Sequence, residues 1–210
     1  METAEKTEAK DKILQAAFEM FCQRGIKSVS MDDIAQHLSM SKKTLYKWFR
    51  NKDQVIYEAI EGFLGSVQQD CECFIETSGN AIEELFQIVD LSKRVFSNMH
   101  PSIFYDLQKY HPDSWNLWMQ HKNAYILEKV RENILRGMKE GLFRRDLDVE
   151  VMARMRLVLI ELPFNQLVFP PHQYDARRVQ LAVLEHYMLG IATLKGHKLI
   201  NELKHITEEE

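Results

Sequence analysis

The residues best suited to chemistry stand close together in Ser41-Lys42-Lys43-Thr44-Leu45-Tyr46-Lys47-Trp48-Phe49-Arg50-Asn51-Lys52. Placed at about 100° per residue, Leu45, Trp48 and Phe49 share one arc of a helix, and Lys42, Lys43, Thr44, Tyr46 and Lys47 share the other. The chemistry on offer is recognition of a polyanion. Lysines neutralise phosphates and donate to guanine acceptors, Thr44 can meet an acceptor or a thymine methyl, and Tyr46 can donate its phenol to phosphate. Lys52 opens the following helix, whose free N–H groups also attract phosphate. Taken alone, such a lysine run is more often a solvated cationic face.

Other candidate chemistry is sparse. There is no Gly-x-Ser-x-Gly, no phosphate-binding glycine loop and no His-Glu-x-x-His, which argues against an enzyme. His111 and His121 stand ten apart, and no histidine pair has the i, i+4 spacing of a helical metal site, so neither metal nor cofactor is expected. Cys22, Cys71 and Cys73 are odd in number and lack zinc spacing, which fits reduced structural thiols with only a minor redox possibility for Cys71 or Cys73. Phe104, Tyr105, Trp115, Trp118 and Tyr125 cluster around the start of one helix. They could line a cavity for a small apolar or amphipathic effector or form ordinary core.

Composition sets the outer bounds. The chain has 210 residues, 45% of them apolar, and a formal net charge of −4, enough for a core and too acidic for a general polycation. Charge is instead local: between Lys27 and Lys52 six basic residues face two acidic ones, a balance of +4. The charged segment Met1 to Lys12 is no signal peptide, and Val151 to Phe169 is too interrupted by polar residues to span a membrane. A cytoplasmic protein without a membrane partner follows.

The elements that must position the basic residues are all helical, about nine of them, because no run alternates with period two over strand length. Ile13, Leu14, Ala17, Phe18 and Phe21 stripe a first helix, which Gly25 stops. Ser30 caps a short second helix with Asp33 in a near capping box. Ser39-Met40-Ser41 turns the chain, and Ser41 caps the basic helix. Asn51 and Gln54 open a long fourth helix through Val67, and a fifth ends near His100-Pro101. A sixth covers Ile103 to Tyr110, and a seventh of about 28 residues follows Pro112. Asp146 or Asp148 caps the eighth, and the ninth begins near Tyr174 and carries apolar residues as far as Leu194. Helix, tight turn and helix at residues 30–49 is the pattern that sets a reading helix in the DNA major groove.

Ile13-Leu14-Gln15-Ala16-Ala17-Phe18, then Phe21, Gly25, Ser30, Ile34-Ala35, and Ser41-Lys42-Lys43-Thr44-Leu45-Tyr46 with Phe49 and Lys52, resemble the N-terminal signature of the tetracycline-repressor (TetR) family. The pair Lys42-Lys43 departs from the smaller or glycine-containing pairs of many members. Gly137 to Asp148 is similar to a common turn before the last two helices. The resemblance implies an all-α homodimer with an N-terminal helix-turn-helix domain, residues 1–51, and a larger helical effector-binding and dimerisation domain, residues 52–210. It implies that Ser30, Lys42, Lys43, Thr44, Tyr46, Lys47 and Lys52 face double-stranded DNA, with Ser41 completing the site as cap. It also implies that the last two helices pair across a two-fold axis as a four-helix bundle, through residues such as Leu157, Ile160, Leu184, Tyr187, Met188 and Ile191.

The function expected is transcriptional regulation: a repressor released from a palindromic operator by a small molecule. The alternative is a DNA-binding architectural or protein-interaction factor on the same fold with no effector. A helical enzyme with its site near Trp115 ranks behind both.

Overall fold

The computed structural model describes residues 2–96 and 99–205, and among these no strand forms beyond an isolated bridge between Phe143 and Ala192. The helices are α1 (Glu2–Arg24), α2 (Met31–His37), α3 (Lys42–Trp48), α4 (Lys52–Thr77), α5 (Ala81–Phe96), α6 (Ile103–Tyr110), α7 (Pro112–His121), α8 (Leu127–Lys139), α9 (Val149–Glu161), α10 (Ala176–Ile191) and α11 (Leu194–Lys204). The chain divides into two compact units, one of Met1–Gln68 with Asn98–His121 and one of Gln69–Ser97 with Lys122–Glu210.

In the first unit α1 buries Ile13, Ala17 and Phe21 of the expected stripe, with Met20 beside them, while Leu14 and Phe18 are half-buried. Gly25 ends the helix at φ +80°, a left-handed conformation that costs glycine nothing, and its N–H closes on the Phe21 carbonyl at 2.9 Å. Val55, Ile56, Ala59, Ile60 and Leu64 form the inward face of α4, and Phe63 stacks on Phe18 with ring centroids 4.6 Å apart. Full burial of each such side chain contributes about 1.5–3 kcal/mol before entropy is counted.

In the second unit α5 and α10 share a core of Ala81, Ile82, Leu85, Leu142, Phe143, Leu184, Tyr187, Met188, Ile191 and Ile200. Phe143 lies against the backbone of α8: a Cβ on Gly137 would stand 2.0 Å from Phe143 Cδ2. Asp148, not Asp146, caps α9, its Oδ1 accepting from Val151 N–H at 3.1 Å.

Several boundaries differ from the sequence reading. The long run after Pro112 keeps its expected length to Lys139 but is interrupted by a π-helical stretch at Lys122–Ile126. The ninth expected helix does not reach Leu194. Ala192 is extended, and Thr193 then caps a further helix, α11, by accepting from Gly196 N–H at 3.1 Å. Phe96 belongs to α5, but residues 97–98, where that helix was expected to run toward His100, lie outside the described residues.

The residues expected at a dimer interface are mostly buried within the chain itself. Leu184, Tyr187, Met188 and Ile191 are only 1–4% exposed within the single chain, as is Leu157, while Ile160 is half-buried. Packing of α10 against α5 and α9 already covers its broad apolar surface. That surface therefore does not by itself indicate a partner chain.

Candidate nucleic-acid interface

Local capping sets the two short helices. Ser30 Oγ accepts from Asp33 N–H at 3.2 Å, while Asp33 Oδ2 accepts from Ser30 N–H at 2.7 Å, a complete capping box at the start of α2. These bonds from the Ser30 hydroxyl and backbone hold the exposed Asp33 carboxyl below its usual range. Ser41 Oγ accepts from Thr44 N–H at 3.0 Å and shares a 2.8 Å bond with the Thr44 hydroxyl. Between the helices Ser39 takes φ +53°, and Met40 N–H reaches the Ala35 carbonyl at 2.9 Å. A serine in the left-handed region makes the turn where glycine would be easier.

Burial then aims α3. Leu45 is fully buried and Phe49, just past the helix end, is 1% exposed, while Trp48 is half-buried. Ile34 and Ala35 of α2 are buried in the same unit. Lys42, Lys43, Tyr46, Lys47 and Arg50 are left exposed, and Thr44 is half-buried at the edge of that face. Lys42 is 2.8 Å from Asp32, and that hydrogen-bonded carboxylate raises its pKa. Both partners are well exposed, so the pair is weak and a phosphate can take the place of Asp32.

Lys52, expected to face DNA, is half-buried and bonded within the chain. Its Nζ donates to the Ile26 carbonyl at 2.5 Å and lies 6.0 Å from the Phe21 ring centroid, and burial lowers its pKa. The side chain ties α4 to the start of the α1–α2 connection. Arg50, which the sequence reading counted as charge but not as a contact, is exposed instead. Its N–H donates to Gln54 Oε1 at 2.9 Å while Asn51 Oδ1 accepts from Gln54 N–H at 3.0 Å, so Arg50 sits at the capped, electropositive start of α4. Its position just before the capping Asn51 was the available signal.

The residues proposed for an effector pocket are only partly brought together. Phe104 and Trp118 meet edge to face, with centroids 5.5 Å apart, and line an apolar cavity of about 60 Å³ with Phe18, Ile60, Phe63 and Ile103. Trp115 is half-buried and outside it, because Ser114 and Trp118 define the buried face of α7. Tyr105 is 50% exposed and accepts from Lys109 Nζ at 2.6 Å; the buried face of α6 is that of Ile103, Asp106 and Leu107. Tyr125 belongs to the other unit, within the π-helical stretch, with Lys129 Nζ 5.9 Å from its ring centroid. Burial pushes the Cys22 thiol up to about 12 and Cys71 to about 11, away from the thiolate form.

The sequence comparison decides what this geometry belongs to. Residues 13–59, from α1 through the first turns of α4, match the family model for bacterial regulatory proteins of the tetR family. Its N-terminal region is that of a TetR-family DNA-binding regulator. The chain is similar to the transcriptional repressor KstR2 of Mycobacterium tuberculosis, with 25% identity over 149 residues covering 68% of this chain and 72% of that one. The regulator's fold matches a transcriptional regulator from Saccharomonospora viridis in complex with choline at TM-score 0.72 and 20% identity, covering 89% and 99% of the two chains. It also matches FadR of Bacillus subtilis in complex with stearoyl-CoA at TM-score 0.62 and 19% identity, covering 85% and 97%. Among the regulator's described residues no helix is long and apolar enough to cross a membrane.

Proposed function

We propose that the regulator binds a palindromic operator as a homodimer, represses transcription there, and is released when a small apolar or amphipathic effector occupies its larger helical part. The observation that carries the DNA reading is α3, which seats Leu45 inside and leaves Lys42, Lys43, Tyr46 and Lys47 outside beside Arg50. Functionally, residues 1–51 meet DNA and residues 52–210 serve effector and dimer. KstR2 is named a repressor, and related folds hold choline and stearoyl-CoA, which supports release by a ligand. The cavity beside Phe104 and Trp118 is far smaller than the roughly 300–1,000 Å³ of a typical ligand site. Any effector entering there must move the surrounding helices.

The dimer surface we favour is the exposed stripe of Val151, Met155 and Val158 on α9, 54%, 40% and 63% exposed. They stand at i, i+4 and i+7 and so form one face. Such an apolar stripe left in water is the mark of an interface. Two reading helices related by the resulting two-fold axis must lie about 34–36 Å apart to enter successive major grooves.

Selection of bound DNA from a random pool, followed by anisotropy titration across salt concentrations, tests the reading. A palindromic site should emerge, and about four phosphates neutralised per protomer give a log–log salt slope of roughly −7 for the dimer. A slope near zero rejects DNA binding. Operator binding with no stabilising ligand, together with a stable protein partner, would favour the effector-independent alternative.

A further inference from the structure

Arg156 is a buried charge with no evident structural use. It stands on the inward face of α9 between Ala153 and Ile160 and is 5% exposed. Its Nη1 has no hydrogen-bond partner, and among the described residues no carboxylate pairs with it. Its guanidinium carbon lies 5.9 Å from the Tyr187 ring centroid. Gln180, 2% exposed, precedes Tyr187 by about two turns on the same face of α10, and neither its Nε2 nor its Oε1 has a partner. Folded proteins seldom leave such groups unsatisfied, because burying them without partners forfeits the hydration they had in the unfolded chain.

The same unit shows how a structural cation is treated. Lys122, 7% exposed, is bonded to Glu161 at 2.7 Å. Arg156 has no such counter-ion. Burial pulls its pKa down to about 10, which still leaves it protonated at neutral pH. On the same helix Ala153 and Leu157 belong to an apolar cluster with Leu127 and Ile134 of α8. An unpaired cation, an unpaired amide and apolar walls are the ingredients of a site for a molecule with an anionic head and an apolar body.

We propose that Arg156 and Gln180 are the polar recognition groups of the effector site. Arg156 pairs with the carboxylate or phosphate of an amphipathic organic anion. Gln180 bonds the same head or a second polar atom about 10 Å along α10. The assignment rests on the reading of the chain as an effector-controlled regulator, and it adds the ligand's charge and the residues that select it.

The test uses the full chain and three probes of equal chain length: dodecanoate, dodecyl phosphate and uncharged dodecanol, all below their micellar range. Either anion should raise the melting temperature saturably, and dodecanol should bind at least about tenfold more weakly, since a charge-assisted bond is lost. Arg156→Met should weaken the anion by about tenfold or more without lowering the melting temperature of the unliganded protein, because it removes a buried unpaired charge. Gln180→Leu should weaken the anion less. The proposal fails if neither anion shifts the wild type, if Arg156→Met keeps the full shift, or if that variant instead dissociates the dimer, which would assign the counter-ion to a partner protomer. Operator binding by the wild type is measured alongside. Its loss would defeat the regulator reading, whereas absent anion binding with operator binding intact defeats this assignment alone.

Discussion

Replacing Lys52 with methionine separates a structural cation from a DNA-contacting one. The substitution keeps most of the apolar stem and removes the ammonium group. What is lost is a charged hydrogen bond to the Ile26 carbonyl and a cation 6.0 Å from the Phe21 ring centroid. In favourable settings these are worth about 1.5–3 and 0.5–1 kcal/mol. Lys52 is only partly buried, and the Ile26 carbonyl keeps a long bond from Val29 N–H at 3.4 Å, so water and that donor recover part of the loss. A cost of about 1–2 kcal/mol remains. Urea unfolding followed by tryptophan fluorescence should therefore show an earlier midpoint. Operator binding, measured by anisotropy at several salt concentrations, should keep its log–log slope. Lys47→Met, on the exposed face of α3, should do the reverse: an unchanged midpoint and a slope shallower by about 1.8 for the dimer, two phosphates at 0.9 each. A slope loss of that size in Lys52→Met with no change in stability would refute the placement of Lys52.

Val158→Glu puts a charge on the most exposed residue of the α9 stripe and should convert the dimer to monomers in sedimentation velocity; a surviving dimer would move the interface elsewhere. Gly137→Ala should destabilise the second unit by about 3 kcal/mol or more in urea, because its Cβ would overlap the Phe143 ring. Gly62→Ala, with nothing within 4 Å of the new carbon, should stabilise α4 by about 0.5–1 kcal/mol. The Asp33 carboxyl is held below the ordinary aspartate range by the Ser30 bonds, so its contribution is complete above that range and lost as pH falls through the lower folded value. The stability difference between wild type and Asp33→Asn should accordingly shrink from about pH 5 to pH 3 in urea midpoints.

What the sequence determined was local. Ser30 with Asp33, Ser41 with Thr44, and the arc of Leu45 and Phe49 lie within one or two turns of each other, so capping and a 100° periodicity were enough to place α2, α3 and the exposed lysines. The apolar stripes of α1 and α4 and the stop at Gly25 were legible for the same reason. Residue type alone could not say which partner a side chain would meet from far along the chain.

Tertiary structure decided those cases. Lys52 is tied to a carbonyl 26 residues earlier, which removes it from the row of free cations that its charge suggested. Tyr105 and Trp115 lost their place beside Phe104 because the buried faces of α6 and α7 are set by what packs on them. On α10, Leu184, Tyr187, Met188 and Ile191 read as a surface awaiting a partner, yet they are used up within the chain. On α9, Val151 and Val158 stay in water while Arg156 goes inside. Periodicity says which residues share a face; only the neighbouring helices determine whether that face is covered, and by what.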